Sequence, residues 1–335
     1  MHNIQRRKVL GSGVALASAG TLAAVVGMPA RAQAKLTPVR FTCGANLGYT
    51  NLYVAEGAGL FQKHGIDGKV IMFDVGFLGT EAVLAGQAET ATTAGFPMIN
   101  YVGKGADLIT PAITITGDDI KIVALKTIAK ASDFAGKKVG LIIGSVAHYG
   151  FDRYLQHFNV PKDKVTIINA PAAEQVALFA KGDLDAFVWV EPVVSRGIEI
   201  MKGRAHVMEP NLEVAMRNRN YLQVKRSWAE QNPDVMLAVL RAHIEANELI
   251  KSDIKRAAQY AGKKLNLAPD QIPELIRRGG FRWDVYLESG LVAELKTTTD
   301  WMRDNKRLAA EPGDMRRVLA PEYLRKVAPG NVTGL

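Results

Sequence analysis

The sequence predicts an α/β fold built as two related lobes. Short apolar runs alternate with amphipathic segments over residues 39–104, the order in which strands and helices follow one another in α/β chains. The same order returns over residues 139–190. One junction recurs in kind: Leu84-Ala85-Gly86-Gln87-Ala88-Glu89 and Phe179-Ala180-Lys181-Gly182-Asp183-Leu184-Asp185 each end a helix with glycine and enter a strand through an acid.

In chain order, the first lobe reads as strands at 39–43, 69–73 and 89–93 interleaved with helices at 51–64, 80–85 and 97–104. A hinge-like stretch at 113–122 follows. The second lobe opens with the most informative segment, Lys137 to Tyr149. Val139-Gly140-Leu141-Ile142-Ile143 is short, apolar and β-branched, the pattern of a buried strand. Ser145 is a capping residue, and Phe151, Tyr154, Leu155 and Phe158 recur at helical spacing until Asn159 and Pro161. Such a helix start turns free N–H groups and the positive end of the helix dipole toward an anion. Strands at 165–169 and 185–190 enclose a helix at 172–181. From Asn232-Pro233 onward the pattern is helical, near 235–249, 253–264, 270–277 and 286–304, and reads as packing that completes the first lobe. The expected boundaries are 35–118 with 226–335 for the first lobe and 119–225 for the second, with a ligand cleft between them.

Residues 1–34 read as an export signal. Arg6-Arg7-Lys8 precedes a moderately apolar run rich in small residues, which ends in Ala32-Gln33-Ala34, the small-x-small pattern of a cleavage site. The paired arginines and Leu10 fit the twin-arginine type, while Gln5, Val9 and Gly11 depart from its usual flanks, so the expected export partner is the twin-arginine or the general secretion machinery. Removing residues 1–34, which carry Arg6, Arg7, Lys8 and Arg31 and no acid, lowers the formal charge from +9 to +5. The remaining Lys and Arg lie among acids with no basic run interleaved with aromatics, which argues against a nucleic-acid partner. Cys43 is the only cysteine, so an intramolecular disulfide and a cysteine zinc cluster are excluded. It alternates with Val39 and Phe41 as a buried residue of the first strand and lacks the flanks of a lipid anchor. The mature protein is expected to be soluble in the periplasm, unanchored and monomeric.

Tyr53-Val54-Ala55-Glu56-Gly57-Ala58-Gly59-Leu60-Phe61 with Gly65-Ile66-Asp67, then Leu84-Ala85-Gly86-Gln87-Ala88-Glu89, Gly136-Lys137-Lys138-Val139-Gly140, Gly144-Ser145 and Val190-Glu191-Pro192 form an ordered set. In this set the chain resembles the nitrate/sulfonate/taurine group of periplasmic binding proteins. The resemblance covers roughly residues 38–200. It implies the two-lobed periplasmic binding protein fold of type II, each lobe a mixed sheet flanked by helices, with extra C-terminal helices. It implies further that a small anionic or zwitterionic solute is held between hinged lobes and delivered to an ABC permease in the inner membrane, with no cofactor and no metal. Where the group carries tryptophan directly before the acid and proline, this chain has Val190, with Trp189 one place earlier; a one-residue move in a strand turns a side chain to the other face.

Ligands of open α/β sheets bind beyond the carboxyl ends of the strands, so the loops there supply the candidates. Ser145, with the N–H groups of Val146 and Ala147, is expected to hold an anionic head, an ordinary N-cap being the alternative. His148 and Tyr149 begin the same helix and offer side-chain donors; a surface role is the alternative for the histidine. Asn46, Gly48 and Tyr49 form the matching loop of the first lobe. Gly76, Phe77 and Thr80 open a helix, with Thr80 as cap and Phe77 as an aromatic cleft wall; Phe96 is the equivalent wall after the next strand, and Trp189 ends a strand nearby. Glu191 either binds an ammonium group, or caps the hinge, or pairs with Arg196.

Catalytic patterns are missing. The six histidines are scattered, and no His-Glu-x-x-His, phosphate loop or Gly-x-Ser-x-Gly elbow occurs. The alternatives to an import receptor are a fold-related thiamin-pyrimidine precursor binding protein or synthase, against which the export signal argues, and a receptor that reports its ligand to a sensor kinase.

Overall fold

The computed structural model describes residues 36–335. The export signal expected at 1–34 lies outside the described residues. Among those described, ten strands make two five-stranded sheets: β1 (Thr37–Gly44), β2 (Ile66–Phe73), β3 (Thr90–Thr93), β4 (Leu108–Gly117), β5 (Lys121–Leu125), β6 (Lys138–Leu141), β7 (Thr166–Asn169), β8 (Ala186–Trp189), β9 (Ala205–Val207) and β10 (Asn218–Lys225).

The two sheets repeat one topology. In the first, of order β2-β1-β3-β10-β4, β2 and β3 run parallel to β1, and β10 runs antiparallel between β3 and β4. In the second, of order β7-β6-β8-β5-β9, β7 and β8 run parallel to β6, and β5 runs antiparallel between β8 and β9. The antiparallel strand of each sheet is the one that arrives from the other. Two crossovers therefore tie the lobes together, at residues 118–120 and 208–217. This is the two-lobed α/β arrangement expected from the sequence, with both sheets mixed.

Two boundaries move. Residues 218–225, expected in the second lobe, are β10 and belong to the first sheet. The strand begins Asn218-Arg219-Asn220, a polar start that hides it from an apolar-run pattern. The hinge-like stretch at 113–122 is mostly strand: β4 is buried along its whole length, and the connection narrows to Asp118, Asp119 and Ile120.

Period-two alternation explains the second lobe. Ile122, Ala124, Ala186 and Val188 face Phe151, Tyr154 and Leu155 of the helix Val146–His157, whereas Val123 and Phe187 face Val176, Phe179 and Val194 of the helices Ala172–Lys181 and Val193–Ile200. In the first lobe Phe41 of β1 stacks on Phe61, ring centroids 4.2 Å apart. The helices from Pro233 onward bury Val239, Leu240, Ala257, Leu291 and Leu324 in that same core. Pro233 stands in the first turn of Pro233–Ser252, where its missing N–H costs nothing.

Candidate ligand-binding site

A cleft of about 300 Å³ lies where the carboxyl ends of the parallel strands of both sheets meet. One wall comes from the loops after β1, β2 and β3, the other from the loops after β6 and β8. The floor is made by the first crossover, through Asp119 and Ile120, and by the start of β10, through Asn218 and Asn220.

The second lobe contributes a helix start. Gly144 adopts a left-handed φ of 84°, which turns the chain out of the strand into Ser145. Ser145 is extended (φ −84°, ψ 172°), and its Oγ accepts from the His148 N–H at 3.4 Å. The Tyr149 N–H is taken by the Ser145 carbonyl, so the N–H groups of Val146 and Ala147 are the ones left at the cleft, which both residues line. Trp189, the last residue of β8, and Val190 after it line the same wall, so the sideways move of the tryptophan does not remove it from the cleft.

The first lobe contributes side chains. Asn46 caps the short turn Leu47–Tyr49 by accepting from the Gly48 N–H at 2.9 Å, and still lines the cleft. The loop is pinned by the Tyr53 hydroxyl, which donates to the carbonyls of Gly44 and Asn46, each at 3.1 Å. Tyr49 lines the cleft from a buried position; burial raises its phenol well above the ordinary range, so it stays a protonated donor. Gly76 lets Thr93 and Tyr49 approach. A Cβ there would stand 2.5 Å from Thr93 Oγ1 and 3.1 Å from the Tyr49 hydroxyl oxygen. Phe77, 45 % exposed, and Phe96 complete the apolar part of this wall, and Lys104 is its cation.

Five candidates stand elsewhere. Gly48 lies behind the lining, where a side chain would press on Asn46. Thr80 is not a cap: the helix Phe77–Leu84 starts three residues earlier, and the buried Thr80 hydroxyl donates to Gln223 of β10 at 2.8 Å. His148 turns inward and does not line the cleft: its Nδ1 accepts the Gly144 N–H at 3.2 Å and its Nε2 lies toward Asp152, while burial lowers its pKa against the pull of Asp152. Tyr149 packs edge-on against Phe96 and Trp301, ring centroids 5.4 and 5.3 Å away. Together with His148 it forms a contact between the second lobe and the C-terminal helix Gly290–Asp304. Trp301 Nε1 donates to Asp152 at 3.0 Å there, and Lys162 reaches Asn305. Glu191 is buried on the far side of β8, where its carboxylate accepts from the N–H and hydroxyl of Ser195 at 3.0 Å each and caps the helix Val193–Ile200. Its ammonium-binding and Arg196-pairing readings are both replaced by that cap.

The residues that sequence reasoning missed are those of the floor. Asp119 is 4 % exposed and accepts from Asn218 Nδ2 at 3.1 Å; burial raises its pKa to about 6, with Asn218 and Lys121 opposing and Asp118 assisting. Asn220 donates to the Gly48 carbonyl at 3.5 Å. The adjacent pair Asp118-Asp119 marks the connection as polar in the sequence, but nothing local marks Asp119 as buried.

Comparisons with known proteins agree with this architecture. The profile of the NMT1-like family matches residues 32–263. The taurine-binding periplasmic protein of Escherichia coli (strain K12) is 27 % identical over 138 residues, 39 % of this chain and 41 % of that protein. A putative aliphatic sulfonates-binding protein of the same strain is 22 % identical over 296 residues, 87 % of this chain and 92 % of that protein. The crystal structure of the periplasmic aliphatic sulphonate binding protein SsuA from Escherichia coli superposes with a TM-score of 0.75 at 19 % identity, covering 86 % of this chain and 99 % of that one. The desulfurization enzyme DszB superposes with a TM-score of 0.67 at 16 % identity, covering 88 % and 99 %. At these identities the two structures share the fold.

Proposed function

The chain belongs to the NMT1-like family, and on that premise we propose that it is an exported solute receptor. It closes two lobes on a small anionic or zwitterionic solute of the sulfonate, taurine or nitrate kind and presents it to an ABC permease in the inner membrane. One observation supports this reading: the capped start of Val146–His157 leaves the N–H groups of Val146 and Ala147 without a helix partner, and both residues line a cleft walled by both lobes. Closure of such a cleft expels water and strengthens every hydrogen bond to the ligand. The taurine-binding protein and SsuA named above are periplasmic binding proteins. Among the described residues no helix is long and apolar enough to cross a membrane.

The DszB likeness raises the question of catalysis. Cys43 is fully buried and outside the cleft lining, and burial pushes its thiol up to about 12, which leaves no thiolate for attack. His148 is locked in a contact between the lobes. Capture without chemistry is the reading this supports.

A thermal-shift and calorimetric screen with taurine, alkanesulfonates, nitrate and short carboxylates tests it. A ligand at 100 times its dissociation constant stabilises the folded state by about 2.7 kcal/mol. Absence of a shift with every one of these at millimolar concentration overturns the reading.

A further inference from the structure

The turn that opens the helix Val146–His157 is held by a residue the solute does not reach. Gly144, Ser145, Val146 and Ala147 line the cleft, whereas His148 does not, and its Nδ1 accepts the Gly144 N–H at 3.2 Å. An imidazole nitrogen that accepts carries no proton, so the neutral ring has its proton on Nε2. Burial lowers the His148 pKa, which keeps the ring neutral near neutral pH. Nε2 faces Asp152 Oδ1, 3.8 Å away, and a carboxylate there favours a proton on that nitrogen.

Asp152 is fixed in turn from the other lobe. Its Oδ2 accepts from Trp301 Nε1 at 3.0 Å, and Trp301 stands on the helix Gly290–Asp304, whose Leu291, Leu295 and Met302 are buried in the first-lobe core. The Trp301 ring also meets His148 edge-on, ring centroids 5.2 Å apart. The other cation near Asp152 is the exposed Lys162, at 3.9 Å, whose Nζ donates to Asn305. Resting on the proposed capture of an anion, we propose that Asp152 is a positioning residue for the anion-holding turn. Trp301 orients Asp152, Asp152 selects the Nε2–H form of His148, and Nδ1 then fixes the peptide that enters Gly144 and presents Val146 and Ala147. Docking of the C-terminal helix on the second lobe is thereby coupled to the backbone at the cleft, although Asp152 itself does not line it.

Asp152→Asn tests this because it removes the charge and keeps the shape. With the amide oxygen on the Trp301 N–H, the amide nitrogen faces Nε2 and calls for an acceptor there, which moves the ring proton to Nδ1, opposite the Gly144 N–H. Side-chain nitrogen NMR of the whole protein labelled at histidine, with the His148 signal assigned by its loss in His148→Gln, is expected to show Nε2–H in the parent and Nδ1–H in the variant. Calorimetry with taurine, ethanesulfonate and nitrate is expected to show about tenfold weaker binding in the variant, with Tm little changed, for whichever of these the parent binds. Trp301→Phe keeps the ring and removes only the N–H, so it serves if Asp152→Asn folds poorly; about threefold weaker binding is expected. A parent ring protonated on Nδ1, a variant ring still protonated on Nε2, or a switch without loss of affinity overturns the positioning role and leaves anion capture intact. Unchanged affinity in Trp301→Phe does the same. Absence of binding by the parent to every anion of the screen removes the capture reading, and the positioning role with it.

Discussion

The loops that follow β1 and β6 occupy equivalent places in the two sheets and are built from the same kinds of residue. Each has a glycine near the strand end, a polar cap and a tyrosine: Gly44, Asn46 and Tyr49 in one, Gly144, Ser145 and Tyr149 in the other. They do different work. In the first lobe the cap accepts an N–H only two residues on, the chain makes a tight turn, and Tyr49 is left facing the cleft. In the second lobe the cap accepts from three residues on, a twelve-residue helix begins at once, and Tyr149 rotates away onto Phe96 and Trp301. One lobe therefore lines the cleft with the side chains of Asn46 and Tyr49, and the other lines it with the start of a helix. Equivalent topology does not make equivalent contacts, because one residue of cap spacing decides which face of the following turn looks inward.

Four measurements break or sharpen this contrast. Ser145→Asp keeps a good helix cap but sets a negative charge beside the anion, and is expected to cost about 100-fold in sulfonate affinity, or about 2.7 kcal/mol. An unchanged dissociation constant by calorimetry would remove the helix start from the site. Val146→Pro deletes a single backbone N–H at the first helical position, where proline is tolerated and the extended Ser145 suits it. The expected loss is about tenfold in affinity with little change in Tm.

The tyrosines separate the lobes directly. Tyr49→Phe is expected to weaken binding by about fivefold through loss of the buried donor, while Tyr149→Phe leaves affinity unchanged because its ring, not its hydroxyl, makes the contact. Equal losses in both would show the lobes to be used alike. The smallest effect concerns His148. Its folded pKa lies below its ordinary value through burial, so the unfolded chain takes up the proton first and stability declines as pH falls through about 6.5. Asp152 opposes that shift and Arg307 and Lys162 add to it. Comparison of Tm for the parent and His148→Gln between pH 7.5 and 5.5 should show a slightly steeper decline in the parent, with anion affinity flat above pH 6.5 in both.

Much of the site was legible from local pattern. A strand, a glycine and a cap located Asn46, Gly76, Ser145, Val146, Ala147 and Trp189 at the carboxyl ends of the strands, and the exposed Phe77 followed from an aromatic with no core to enter. Orientation was not legible. Thr80, His148 and Glu191 are polar residues at the right ends of elements, yet each is satisfied by a partner on its own lobe or its own helix: Gln223, the Gly144 N–H and Ser195. The floor was the least legible part. Asp119 and Asn218 are 99 positions apart and meet only because each antiparallel strand crosses into the other sheet.

By itself, the sequence determined what depends on neighbours in the chain: the order of strands and helices, the repeat of one pattern in two lobes, the helix start at Ser145 and the placement of Cys43 in a core strand. These follow from periodicity, capping and turn chemistry, which act over a few residues. Tertiary structure alone decided which lobe owns β10, which way Tyr149 and Glu191 turn, and that Asp119 is a buried carboxylate in the cleft. Those outcomes depend on burial and on partners brought from distant segments. An Asp-Asp pair in a polar connection carries no mark of the desolvation it meets once two sheets close around it.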